Sequence, residues 1–291
     1  MPNRSTVLRR RWPLLTLLSL LAAALLAGCA SLEVQQRKWI FMPASVTSGM
    51  QSWYGGRTDG MDDVWIEHVS AESGRGVKLH ALWLAHEQPD APVLLYLHGA
   101  RRNVAGSAFR MRHMQALGFA VLAVDYRGFG QSTDELPSEA TVYEDARAAW
   151  AWLEREHPER DRYIFGHSLG GAIAVHLAGE VADSKGLIVE GTFTSIPEVF
   201  QSFKWGWLPI TPLITQRFEA ADKIARVKTP VLVVHGSYDS LIRPELGRKL
   251  YEKAAGPKRF VLVEGGTHYS TSGVGRTQYR EALKALFGLG A

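Results

Sequence analysis

Three residues far apart in the 291-residue chain have the types needed for nucleophilic attack on a carbonyl: Ser168, Asp239 and His268. A serine hydroxyl is a poor nucleophile at neutral pH, so it needs a base within hydrogen-bonding reach and a carboxylate to orient that base. Ser168 stands in Gly166-His167-Ser168-Leu169-Gly170. The flanking glycines are what a sharp, crowded strand-to-helix turn requires. His235-Gly236-Ser237-Tyr238-Asp239 and Gly265-Gly266-Thr267-His268 each follow a β-rich run directly, which puts Asp239 and His268 in loops at strand ends. Glu190, also at a strand end, is the alternative acid. His98-Gly99-Ala100 closes a further apolar run, and the backbone N–H groups of Ala100 and Leu169 are expected to form an oxyanion hole worth about 3 kcal/mol per donor. The chemistry these residues would support is acyl transfer from an ester or thioester through an acyl-enzyme on Ser168.

The elements that must carry these residues are legible as alternating patterns. Val64 to Val69 and Lys78 to Ala85 are β-rich and separated by Ser73-Gly74-Arg75-Gly76, an antiparallel hairpin. Val93-Leu94-Leu95-Tyr96-Leu97 is continuously apolar, as a strand covered on both faces must be. From there strands and helices alternate: helix 104–117, strand 120–124, helix 139–156, strand 163–165, helix 169–181 and strand 186–189. Strand 231–234, helix 244–254, strand 259–263 and helix 275–286 complete the pattern. Val142, Ala146, Ala149, Trp150 and Leu153 recur at three- and four-residue intervals, one apolar face for docking on a sheet. Such alternation specifies an α/β fold with a doubly wound, mostly parallel sheet, whose reactive groups gather at the carboxyl ends of the strands.

Composition narrows the function. The chain has 33 basic and 29 acidic side chains, but Arg4, Arg9, Arg10 and Arg11 all fall in the first 28 residues, which hold no Asp or Glu. The remainder is formally neutral and lacks the clustered charge that nucleic-acid binding needs. No HExxH, paired CxxC or G-x-x-x-x-G-K-[ST] motif occurs, so no metal and no nucleotide cofactor is expected. His113, His157 and His176 lie on expected helices or their ends and read as solvated or core residues. His98 and His167 read as structural neighbours of the site.

The N-terminus has a basic stretch through Arg11, an apolar run from Leu14 to Leu26, then Leu26-Ala27-Gly28-Cys29, with the chain's one cysteine. This resembles a bacterial lipoprotein signal peptide, which implies diacylglycerol attachment to Cys29 and removal of residues 1–28. An uncleaved membrane anchor and an ordinary secretory signal are the alternatives, and Arg9-Arg10 admits twin-arginine export. The apolar run is short for a membrane span. With Ala30 after the cysteine, the expected location is the bacterial envelope, at the outer membrane facing the periplasm. Residues 29–60 read as a lipid-anchored tether that then packs across the sheet edge, and residues 61–291 as the catalytic domain.

The runs Leu97-His98-Gly99, Asp125-Tyr126-Arg127-Gly128-Phe129-Gly130-Gln131-Ser132, Gly166 to Gly171, Phe193-Thr194-Ser195-Ile196-Pro197 and Val234 to Asp239 resemble the Bem46-like branch of the α/β hydrolases, related to the serine-aminopeptidase-like group. The similarity runs from about Lys38 to the C-terminus and implies the α/β-hydrolase fold with triad order serine, acid, histidine. Eukaryotic members of that branch include protein depalmitoylases. Ala100-Arg101-Arg102-Asn103 departs from the Asn-Ala-Gly-Asn that relatives often carry after His-Gly. Residues 191–229 form a short cap, which implies a fairly open site. Phe200, Phe203, Trp205, Trp207, Leu208, Ile210 and Leu213 make it aromatic and aliphatic, suiting a hydrophobic acyl group. An aminopeptidase would need an acidic group for the substrate amine, and a catalytically silent envelope lipoprotein is the reading outside enzymology.

Overall fold

The computed structural model describes residues 30–43 and 57–289, together with Ser19 and Gly28. Cys29 and nearly all of the expected signal peptide lie outside the described residues. Among the described residues, no helix is long and apolar enough to cross a membrane.

Eight strands form one sheet: β1 (Asp62–Val69), β2 (Gly76–Leu84), β3 (Val93–Leu97), β4 (Ala120–Val124), β5 (Arg162–His167), β6 (Ser184–Glu190), β7 (Val231–Gly236) and β8 (Lys258–Val263). Their spatial order is β1-β2-β4-β3-β5-β6-β7-β8. The hairpin β1–β2 is antiparallel, β2 joins β4 antiparallel, and every later pairing is parallel. The expected mostly parallel sheet with an antiparallel start is therefore present.

Side chains on a strand alternate between faces, and the core divides accordingly. Leu95, Leu97, Ile164, Leu187, Val189 and Val233 point to one side. There they meet Val142, Ala146, Trp150 and Leu153 of one helix (Glu139–Glu156) and Ile173 and Leu177 of another (Leu169–Glu180). Leu94, Tyr96, Phe165, Ile188 and Val234 point to the other side, against Met111 and Met114 of the helix Ala108–Gln115 and Tyr279 and Leu283 of the helix Arg276–Phe287. Covering both faces is why the central strands read as unbroken apolar runs. The helix expected over 104–117 is shorter, opening with a 3-10 turn at Ala105–Ser107.

Two segments form the roof above the carboxyl ends. The cap carries a helix at Ile196–Ser202, capped by the Ser195 side chain, a 3-10 turn at Thr211–Leu213 and a short helix at Ala220–Lys223. The other segment corrects the expectation of a tether packed across the sheet edge. Residues 30–41 are helical and are bound to the cap: Gln36 Nε2 donates to the Leu213 carbonyl at 2.8 Å, and the Thr215 amide donates to Gln36 Oε1 at 2.9 Å. Arg37 donates to the carbonyls of Leu136 and Pro137, and Phe41 is fully buried, edge-on to Phe218 at 5.8 Å. The sequence pattern does not flag this helix, because its hydrogen-bond partners lie on the distant cap and on residues 136–137.

Candidate active site

Ser168 is the residue between β5 and the helix Leu169–Glu180, and its backbone is left-handed, with φ 56° and ψ −122°. That conformation is costly for a residue with a β-carbon and persists only where the surroundings impose it. Here the Ser168 amide donates to the Glu190 carbonyl at 2.9 Å, while the Ser168 carbonyl accepts from the Gly171 amide and from Thr192 Oγ1, each at 2.9 Å. A β-carbon at Gly166 would stand 2.2 Å from the Gly170 carbonyl oxygen, and one at Gly170 would stand 2.1 Å from that of Leu97. The glycine spacing thus reflects backbones touching on both sides of the turn.

β3 lies beside β5 in the sheet, so the His98-Gly99-Ala100 loop lies against the serine. A β-carbon on Gly99 would be 3.0 Å from Ser168 Cβ. Ala100 and Leu169 both line the cavity that Ser168 opens into. Asp125, at the end of β4, supports this loop by accepting from the Val104 amide at 2.8 Å, with His98 Nε2 3.4 Å away. Burial opposes ionisation of Asp125, but the nearby imidazoles of His80 and His98, at 3.6 and 3.4 Å, and the Val104 amide outweigh it and hold the carboxyl below its usual range.

The loops after β7 and β8 bring Asp239 and His268 together: His268 Nδ1 is 2.7 Å from Asp239 Oδ2. Asp239 Oδ1 accepts from the amides of Leu241 and Ile242 at 3.0 and 2.8 Å. Burial works against the charged form of Asp239, yet hydrogen bonds from His235 and His268, the His268 charge and the Ile242 amide hold the carboxyl well below the usual carboxylate range. Asp239 and His268 are buried at 4% and 5% exposure, and His268 lines the same cavity as Ser168. Glu190, the alternative acid, is committed elsewhere.

That commitment is a cluster the sequence did not reveal. Arg110, on the helix Ala108–Gln115, is fully buried and pairs through Nε with Glu190 Oε1 at 3.1 Å. Tyr279 hydroxyl donates to the other oxygen of Glu190. Arg110 Nη2 donates to the carbonyls of His268 and Tyr269 at 3.3 and 3.4 Å. His167 Nε2 lies 3.0 Å from both Arg110 Nη2 and the His268 carbonyl, and one ring nitrogen serves one of them at a time. Burial first, then the charges of Arg110 and His268, push the His167 imidazole well below its ordinary value, so it is neutral. The cluster ties the nucleophile turn to the main chain of the histidine loop. An arginine at a helical position is the only sequence signal it leaves.

The cavity in front of Ser168 encloses about 1220 Å³. Its walls come from the cap (Phe193, Ile196, Val199, Phe200, Phe203) and from the helix over 30–41 and the residues just after it (Trp39, Ile40, Met42). This revises the expected acyl pocket. Trp205 and Trp207 are 60% and 72% exposed and line no part of the cavity, and the N-terminal helix walls a site expected to be fairly open. Among the described residues, no group of three or more His, Cys, Asp or Glu could hold a metal ion.

A family model described as serine aminopeptidase, S33, matches residues 87–222. An uncharacterized protein of Mycobacterium tuberculosis is 32% identical over 265 residues, covering 89% of this chain and 88% of that protein. The chain belongs to the α/β-hydrolase superfamily. Lysophosphatidylserine lipase ABHD12 of Danio rerio is 32% identical to this hydrolase over 190 residues, 59% of the chain, and the chain spans about half the length of that lipase, 49%. The Pyrococcus furiosus esterase Pf2001 superposes with a TM-score of 0.63 at 19% identity, covering 84% of this hydrolase and 99% of the esterase. The esterase domain of a Rhodothermus marinus protein superposes with a TM-score of 0.56 at 21% identity, over 77% and 96%. At these identities the structural likeness concerns the fold.

Proposed function

We propose that this hydrolase is a serine esterase acting on carboxylic esters or thioesters with a hydrophobic acyl group. The observation that carries the reading is a serine in a strained, clamped turn that opens with His268 into one largely apolar cavity, with Asp239 2.7 Å behind that histidine. In the mechanism, His268 Nε2 takes the Ser168 proton as Oγ bonds to the carbonyl carbon. Asp239 holds Nδ1–H and stabilises the imidazolium, and the Ala100 and Leu169 amides receive the oxyanion. The tetrahedral intermediate collapses by breaking the bond to the alcohol or thiol, which leaves with the proton from His268. Water, deprotonated by His268, then cleaves the acyl-enzyme and releases the acid.

An aminopeptidase reading has less support. The described residues lining the cavity include no Asp or Glu, so a substrate ammonium meets no carboxylate there. The ABHD12 relatives are lysophosphatidylserine lipases, which agrees with the ester reading. We further place the enzyme in the bacterial envelope, anchored by a lipid on Cys29 at the outer membrane facing the periplasm, from the sequence features of residues 1–29. The helix over 30–41 would then lead from the anchor directly to the cavity mouth.

The test is labelling of purified protein by a fluorophosphonate, wild type beside Ser168→Ala. Labelling of the wild type alone, with p-nitrophenyl esters preferred over aminoacyl anilides, supports the esterase. A folded but unlabelled wild type overturns it in favour of a silent scaffold, and a preference for anilides overturns it in favour of a peptidase. Mass spectrometry of the N-terminal peptide from the bacterial envelope tests the anchor: a lipid-modified Cys29 is expected, and an unmodified residue rejects it.

A further inference from the structure

Resting on the esterase reading, we infer that the cavity has an anion subsite beside the oxyanion loop, so that its preferred substrates carry a phosphate or carboxylate a few bonds from the scissile ester. The charges around the cavity are one-sided. Lys38, Arg101, Arg102 and Arg110 line it, with no Asp or Glu among the described lining residues, although the chain beyond its first 28 residues is neutral overall. Arg110 is already neutralised by Glu190 at 3.1 Å. Among the described residues, Lys38 and Arg101 are exposed at the cavity rim and form no ion pair with a carboxylate, and Arg101 Nε lies 3.0 Å from the Met42 thioether. A thioether is a weak acceptor that leaves a guanidinium most of its hydrogen-bonding capacity.

The placement is specific to the reacting centre. Arg101 and Arg102 directly follow Ala100, whose amide the proposed mechanism assigns to the oxyanion. Arg101 adopts φ 71°, a left-handed conformation that favours glycine, while its amide donates to the Phe41 carbonyl at 3.0 Å. An arginine thus stands where the backbone would prefer no side chain. Arg102 lies with its guanidinium 4.9 Å from the centre of the Tyr269 ring, next to His268, and Nη1 donates to the Gly106 carbonyl at 3.4 Å. A guanidinium presents planar, paired donors that suit an oxyanion of phosphate or carboxylate. Charges of one sign in a cleft with apolar walls focus the field on whatever enters it. The apolar walls would receive the acyl chain, and this basic edge would receive an anionic leaving alcohol.

The test compares kcat/KM of the full-length, detergent-solubilised protein on three water-soluble esters of one acyl group: butanoylglycerol, butanoylglycerol phosphate and the butanoyl ester of lactate. Both anionic esters are expected to exceed the neutral one by about 10-fold or more, as one charge-assisted hydrogen bond gives. Their mutual ratio tells phosphate from carboxylate. The preference should shrink from about 0.05 to 0.5 M salt. In Arg101→Gln/Arg102→Gln it should fall towards unity, and in Arg101→Lys/Arg102→Lys part of it should return. Equal rates on all three esters overturn the subsite and leave the esterase reading standing, whereas hydrolysis of none overturns both. A preference that survives in the Gln variant also overturns the assignment. So does a charge effect seen only with anionic vesicles, which would indicate a membrane-facing surface instead.

Discussion

Below Ser168, the ends of β3, β5, β6 and β7 meet at backbone contact distance. Above it, the helix over 30–41 and the cap are joined by a few side-chain contacts. The floor is fixed by main-chain hydrogen bonds on both sides of the serine and by the buried Arg110–Glu190–Tyr279 cluster. In the roof, the helix over 30–41 meets the cap through Gln36 and the Phe41–Phe218 contact and the body through Arg37 and the Arg101 amide, with Trp39, Trp205 and Trp207 exposed at 69%, 60% and 72%. The difference separates two jobs. Attack on a carbonyl tolerates little misplacement of the reacting groups, whereas acyl chains of various lengths need walls that can adjust.

The comparison makes the floor the place where substitutions damage catalysis most. Ser168→Ala should lower kcat for a p-nitrophenyl ester by about 10⁶-fold, and Asp239→Asn by about 10⁴-fold, with circular dichroism unchanged. A loss under tenfold for Ser168→Ala would move the nucleophile elsewhere.

Next comes the cluster behind the histidine loop. Arg110→Met strands Glu190 in the core, and removing one partner of a buried pair costs about 3–5 kcal/mol. In calorimetry Tm should drop by roughly 10 °C. Arg110→Met/Glu190→Leu should recover most of that stability, because replacing both partners leaves no buried charge. The double variant should remain slower in kcat, since the His268 carbonyl has lost its arginine. Full recovery of kcat would reduce the cluster to a packing element.

The roof should affect binding rather than turnover. Gln36→Ala removes the hydrogen bonds through which Gln36 joins the N-terminal helix to Leu213 and Thr215 of the cap. KM for a long-chain ester is expected to rise by about 3- to 10-fold, equivalent to roughly 1 kcal/mol, with kcat within about twofold. An equal effect on a short-chain ester would show that the helix does not wall the acyl chain.

The smallest effect concerns the footing of the roof. Tyr143 meets Phe218 edge-on at 5.8 Å and stacks on His176 at 3.6 Å. Burial first, then the charges of Lys223 and Arg147, push His176 down to about 4 from its ordinary 6.5. Between those values the unfolded chain takes up a proton that the folded chain refuses. Stability from the neutral ring is therefore complete above pH 6.5 and lost as pH falls towards 4. The effect is on the order of 1–3 kcal/mol. His176→Phe should flatten the decline of Tm over this range, and an unchanged slope would place the acid sensitivity elsewhere.

How much of this was legible follows from the kind of contact each element makes. The helix Glu139–Glu156 and the strand Ala120–Val124 have the expected limits, because a helix docking one face on a sheet and a strand buried on two leave periodic traces in their own residues. Ser168, Asp239 and His268 could be picked out for a similar reason: each sits directly after a strand, in a short loop with its own glycine signature. Arg110 could not, since its significance depends on Glu190, eighty residues away, and on Tyr279. Nor could the helix over 30–41, whose partners Leu213 and Thr215 lie on the cap.

The sequence by itself determined the alternation of strands and helices, the sharp turn at Ser168 and the loops that hold Asp239 and His268, because these depend on neighbours within a few residues. Only the tertiary structure decided that β3 lies beside β5, that Glu190 is tied to Arg110 rather than to His268, and that an N-terminal helix walls the cavity. Those outcomes come from packing between distant segments, where burial and the pairing of charges select among arrangements that local pattern leaves equally open.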